Sequence, residues 1–103
     1  MTEDHYRPLT AAAAAEQAPA PWRVVDGALV ARYRTGTMVR GLEFATAIVA
    51  AAEAANHHPD IDFRYSTVAL VLTTHAIGQL SAADVSLAVA IAQIADAQDV
   101  GWH

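Results

Sequence analysis

The chain contains no cysteine, which excludes a disulfide framework, a thiolate nucleophile and any cysteine-based zinc site. Basic residues are few and scattered, six against eleven acidic ones, so the basic stripe that nucleic-acid binding needs is missing. Long hydrophobic runs are missing too. Stretches such as Phe44 to Ala52 fall far short of the ~20 residues of a membrane-spanning helix. The opening MTEDHYRPL is acidic and lacks a charged segment followed by an apolar core, so it does not read as a signal peptide. A cytoplasmic protein with no nucleic-acid or membrane partner is expected. No Ser-His-Asp signature, phosphate-cradling glycine loop or dinucleotide fingerprint is present, which leaves hydrolase, kinase and dehydrogenase readings without support.

What is present is apolar: 54% of residues are hydrophobic and 17% charged, which excludes a disordered chain. The 103 residues suit one domain over 1–103 with a single core, and residues 1–9 read as a flexible N-terminus. Thr10 to Ala18 is an alanine-rich helix with Thr10 as N-cap, ended by Pro19 and Pro21. Trp22 to Arg34 reads as a hairpin about Asp26-Gly27. Thr37 starts a long helix running to about His57. Its core stripe is expected at Met38, Leu42, Ala45, Ile48, Val49 and Ala52. Ile61 to His75 reads as a second hairpin, turning at Ser66-Thr67. The last helix has Ser81 as N-cap, Asp84 three residues on, and Leu80 and Val85 at the staple positions. Leu87, Ile91, Ile94 and Ala95 supply its buried stripe, and Gly101 closes it. The order is α-β-β-α-β-β-α, predicting an α+β fold in which a four-stranded antiparallel sheet carries three helices on one face.

Three histidines can converge. Glu53 and His57, four apart on one helix, are expected to stack on one face, with His57 at the helix C-terminus, where the dipole favours an imidazolium. Pro59 pushes His58 into an extended conformation, so its ring departs in another direction. A turn at Ser66-Thr67 pairs Phe63 with Leu70 and places His58 opposite His75. The apolar set Ile61, Phe63, Tyr65, Val68, Leu70 and Leu72 then shares one face, and the histidines fall on the other face or at its edge. Such a cluster can be solvated surface, a zinc site or an acid–base site. Adjacent histidines rarely both ligate one ion, and no H-E-x-x-H spacing is present. Acid–base catalysis suits imidazoles near neutral pH best. His5 and His103 are expected to be solvated.

The string Glu53-Ala-Ala-Asn-His57-His58-Pro59, the aromatics Phe63 and Tyr65, Thr73-Thr74-His75, and then Leu80-Ser81 and Asp84 resembles the pterin-4a-carbinolamine dehydratases. The resemblance runs from Trp22 through the last helix. Asn56 stands where some members carry Asp, and Ile61 where some carry Trp. The resemblance implies a four-stranded antiparallel sheet with three helices on one side. It also implies dehydration of 4a-hydroxytetrahydrobiopterin to quinonoid dihydropterin, in pterin recycling, by an enzyme needing no metal or organic cofactor. It assigns acid–base roles to His57 and His75, and substrate binding to Glu53, His58 and Pro59. A homodimer or homotetramer is implied, with the pterin as small-molecule partner. The family also includes dimerisation partners of a transcription factor and assembly factors of a carbon-fixing enzyme, so a non-catalytic role is the alternative.

Overall fold

The computed structural model describes residues 3–103. Its helices are α1 (Ala11–Gln17), α2 (Met38–Ala55) and α3 (Ala82–Ala97), and its strands are β1 (Arg23–Val25), β2 (Ala28–Arg34), β3 (Asp60–Phe63) and β4 (Thr67–Leu72). The order is the expected α-β-β-α-β-β-α. The sheet is antiparallel throughout, with strand order β1-β2-β4-β3. Alternation along the central strands buries Leu29, Ala31, Tyr33, Val68, Leu70 and Leu72, which join Phe44, Ile48, Leu87 and Ile91 of the helices in one core.

Local chemistry accounts for the element ends. Asp26 and Gly27 take positive φ values of 50° and 77°, the conformation a two-residue hairpin turn requires. Thr10 accepts from the Ala13 amide at 3.1 Å, and Thr37 from the Arg40 amide at 3.1 Å, each satisfying an orphan donor of a first helical turn. Ser81 and Asp84 form a full capping box on α3.

Four details depart from expectation. In α2 the buried residues are Gly41, Phe44, Ile48 and Ala52, while Met38, Leu42 and Val49 are 49%, 58% and 48% exposed. Those three and Ala45 form a second apolar stripe, roughly a quarter turn around the helix. The buried stripe seats Phe44 against Tyr33 in the core, and at Gly41 a Cβ would lie 2.8 Å from Phe63 Cε1, so a larger residue there would make the Phe63 ring shift. α2 also stops at Ala55, because Asn56 adopts the left-handed conformation (φ 51°) as its C-cap. α3 ends at Ala97, followed by Asp99 at φ 56°. Gly101 does not close it but bridges to the sheet, accepting from the Arg34 amide at 2.8 Å.

The fourth departure is register. The β3–β4 turn lies at Tyr65-Ser66, with the Arg64 amide donating to the Thr67 carbonyl at 2.9 Å. Phe63 pairs with Val68 and Ile61 with Leu70, a shift of two residues from the expected partners. Side chains alternate with period two, so an even shift leaves every strand residue on its expected face while moving all cross-strand partners. β4 is held from its other side by β2, where Thr67 pairs with Arg34, so Thr67 belongs to the strand and not to the turn.

The expectation of a flexible N-terminus falls partly on Met1 and Thr2, which lie outside the described residues. Beyond them the segment packs against the start of α3. Glu3–Tyr6 forms a 3-10 turn and Leu9 is buried. The Leu9 amide donates to the Leu80 carbonyl at 2.9 Å, and the Ala82 amide to the Arg7 carbonyl at 2.9 Å. Unpaired backbone groups at the start of α3 give this segment its partner.

Candidate active site

The left-handed Asn56 turns the chain inward just past α2. His57 is consequently buried, at 7% exposure, with its amide donating to the Ala52 carbonyl at 3.1 Å. It does not stack on Glu53. Its Nε2 lies 2.6 Å from Asp84 Oδ1, on the first turn of α3. Glu53 instead meets the next histidine: His58 Nε2 is 2.5 Å from Glu53 Oε2, and both side chains are exposed. The expected Glu53–His57 pair is thus replaced by Glu53–His58 and Asp84–His57, because the helix stops two residues before His57 and breaks the i, i+4 relation.

Asp84 is fully buried, and a buried carboxylate has to be paired and hydrogen-bonded. It accepts three hydrogen bonds. Oδ1 takes the His57 Nε2 proton, and Oδ2 takes the Thr74 hydroxyl at 2.7 Å and the Ser81 amide at 2.9 Å. The Thr74 proton is committed to Asp84, so in the 2.7 Å contact between Thr74 Oγ1 and Ser81 Oγ serine is the donor. This network fixes the imidazole: with Nε2 donating, a neutral His57 leaves Nδ1 as an acceptor.

His57 borders a cleft of about 230 Å³. Asn56, His57 and His58 line it from the α2–β3 connection, and Thr73, Thr74, His75 and Ala76 from the end of β4. Tyr6 lines it from the N-terminal segment. His75 opens the 3-10 turn His75–Ile77, which is pinned where the Thr74 amide donates to the Gln79 carbonyl at 3.3 Å. His57, His58 and His75 therefore do come together, but not by strand pairing: carried outward, the observed register sets Thr73, not His75, opposite His58. His57 does not lie on the open sheet face, because Asp84 draws it to the first turn of α3. Glu53 reaches the cleft only through His58, and Pro59 stands half-buried outside its wall. His5 is half-buried rather than solvated, its ring 4.5 Å from Tyr6 and 6.3 Å from His57. His103 is exposed. Among the described residues no three His, Asp or Glu side chains converge as metal ligands.

Sequence reasoning missed Thr74, Tyr6 and Asp84 as members of the site. For Asp84 the signal was present but already accounted for, since a carboxylate three residues after an N-cap serine reads fully as a helix cap. Here one oxygen caps and the other holds His57. Tyr6 gave no signal, because its place depends on the docking of Arg7 to Leu9.

The pterin 4 alpha carbinolamine dehydratase family model matches residues 7–94. A Chloroflexus aurantiacus protein provisionally named pterin-4-alpha-carbinolamine dehydratase is 43% identical over 73 residues, covering 71% of this chain and 78% of that protein. A Herpetosiphon aurantiacus protein with the same provisional name is 41% identical over 90 residues, covering 84% and 94%. Among solved structures, a transcriptional coactivator/pterin dehydratase from Brucella melitensis superposes with a TM-score of 0.80 at 25% identity, over 86% of this chain and 99% of that one. A pterin dehydratase-like RuBisCO assembly factor of the alpha-carboxysome shares the fold, with a TM-score of 0.59 at 23% identity, over 72% and 86%. With a match spanning nearly the whole chain and relatives above 40% identity, the chain belongs to the pterin 4 alpha carbinolamine dehydratase family.

Proposed function

We propose that the protein dehydrates 4a-hydroxytetrahydrobiopterin, or a close pterin relative, to the quinonoid dihydropterin and water. The observation that carries this reading is the buried Asp84–His57 pair, which borders a cleft shared with His75 and His58. The reaction breaks the C4a–O bond. One proton goes to the departing hydroxyl, which leaves as water, and one is taken from a ring nitrogen as a C=N double bond forms. Two imidazoles suffice for both transfers, and positioned groups of this kind contribute ~10²–10⁴-fold each. His57 acts as one proton-transfer group, with Asp84 fixing its tautomer and offsetting charge that develops on the ring. His75 acts as the other. The Glu53–His58 pair binds the ring edge, and Pro59 keeps the His58 backbone extended. The chemistry asks for no metal or organic cofactor, and pterin recycling in the cytoplasm is its setting.

We assign a homodimer or homotetramer, supported by the exposed apolar stripe Met38, Leu42 and Val49 and the uncovered edge strand β3. No helix of the described residues is long and apolar enough to cross a membrane. The alternative is a non-catalytic assembly or dimerisation role, for which the coactivator half of the Brucella melitensis protein's double name speaks. A hydroxylase-coupled dehydratase assay separates the two. Acceleration that survives a chelator is expected, and a rate equal to the uncatalysed one with folded protein contradicts the enzyme.

A further inference from the structure

Among the described residues the cleft has one aromatic carbocycle in its wall, and it comes from the N-terminal segment. The Tyr6 ring centroid lies 6.0 Å from that of His57, with the ring planes at 59°. Its hydroxyl donates to the Asn56 carbonyl at 3.4 Å, and His5 packs edge-on against it at 4.5 Å. In the segment that carries it, the Leu9 amide donates to the Leu80 carbonyl and the Arg7 carbonyl accepts from the Ala82 amide, and Leu80 and Ala82 flank the cap of α3 and so frame Asp84. Tyr6 is therefore registered to the same turn that positions His57. The rest of the wall is His, Asn, Thr and Ala, which supplies hydrogen bonds and little flat apolar surface. Tyr6 also precedes the stretch that matches the family, residues 7–94.

We propose that Tyr6 is a substrate-binding residue, the apolar wall against which a planar bicyclic heterocycle of the pterin class lies while its edge meets the histidines. This rests on the pterin reading of the cleft. An aromatic contact worth ~0.5–1.5 kcal/mol beyond area burial corresponds to about two- to tenfold in affinity.

The test uses the full chain as wild type, Tyr6→Ala and Tyr6→Phe. Dehydratase kcat and KM are measured in each, with equilibrium binding of 7,8-dihydrobiopterin by calorimetry. Tyr6→Ala is expected to raise KM and the dihydrobiopterin Kd about two- to tenfold with kcat little changed, and Tyr6→Phe to restore both. Equal KM and Kd in Tyr6→Ala and wild type overturn the proposal and leave the dehydratase reading standing. A fall in kcat with unchanged Kd also overturns it, since Tyr6 then only supports His57. A wild type that binds dihydrobiopterin through Tyr6 without catalysing dehydration sinks the proposed reaction and upholds the binding role. Failure of the wild type to bind at all sinks both.

Discussion

Replacing Asp84 with asparagine changes one oxygen to an amino group and almost nothing in volume, so its consequences follow from hydrogen-bond counting. Three donors converge on the native carboxylate: His57 Nε2, the Thr74 hydroxyl and the Ser81 amide, at 2.6, 2.7 and 2.9 Å. Asparagine offers one acceptor oxygen. The Ser81 amide is a backbone donor that cannot turn away, so the oxygen has to remain on its side and the amino group has to face His57. His57 can meet a donor only by presenting Nε2 as an acceptor, which moves its proton to Nδ1. Nδ1 then carries a proton where it had been an acceptor. A proton-transfer group in the wrong tautomer forfeits its ~10²–10⁴-fold contribution, so kcat of Asp84→Asn should fall by about that factor. Three charge-assisted bonds become neutral ones or are lost, at roughly 1 kcal/mol each, giving about 2–4 kcal/mol of destabilisation and a Tm lower by about 10–20 °C. Stopped-flow kinetics, a thermal melt and 15N chemical shifts of His57 measure the three effects. A folded Asp84→Asn with kcat within twofold of wild type and an unchanged His57 tautomer refutes the reasoning.

Other perturbations separate the remaining roles. His57→Ala and His75→Ala should each mainly lower kcat, and His58→Ala and Glu53→Ala should mainly raise KM; near-normal kinetics in all four variants would contradict the assignment. Asn56→Gly should melt within ~0.5 kcal/mol of wild type, whereas Asn56→Val forces a branched residue into the left-handed region at about 1–2 kcal/mol, a difference that denaturant titration resolves. The Tyr33 side chain is buried. Burial pushes its phenol from 10.0 up to about 12, with the nearby Trp22 indole acting against the shift and the Asp96 charge adding to it. Only the unfolded phenol ionises just above pH 10, so this contribution is full below pH 10 and is lost as pH rises towards 12. It amounts to ~2–3 kcal/mol, and Tyr33→Phe should flatten the alkaline limb of a stability–pH profile.

The elements and their order were legible because caps, turn residues and periodicity agree at most boundaries: Thr10, Asp26-Gly27, Thr37 and Ser81 each mark an end that the structure confirms. The failures are of another kind. Face alternation detects an odd register slip and is blind to an even one, so Ile61, Phe63 and Leu70 kept their faces while the His58–His75 pairing was lost. The alanine-rich α2 offers two apolar stripes, and only tertiary packing, with Phe44 seated against Tyr33, selects one. Asn56 can continue a helix or end it, and nothing local chooses. That choice alone exchanges Glu53 for Asp84 as the partner of His57. The histidine cluster itself was legible, but the carboxylate that organises it was hidden by a cap role that left nothing unexplained.

In the proposed reaction His57 and His75 transfer the two protons of the dehydration. The most direct measurement follows the decay of 4a-hydroxytetrahydrobiopterin by stopped flow with wild type, each single alanine variant and the double variant, all verified as folded. Wild type should accelerate the decay, each single variant should lose most of that acceleration, and the double variant should lose less than the sum of the two if the histidines act as one unit. Full acceleration by the double variant would contradict the account.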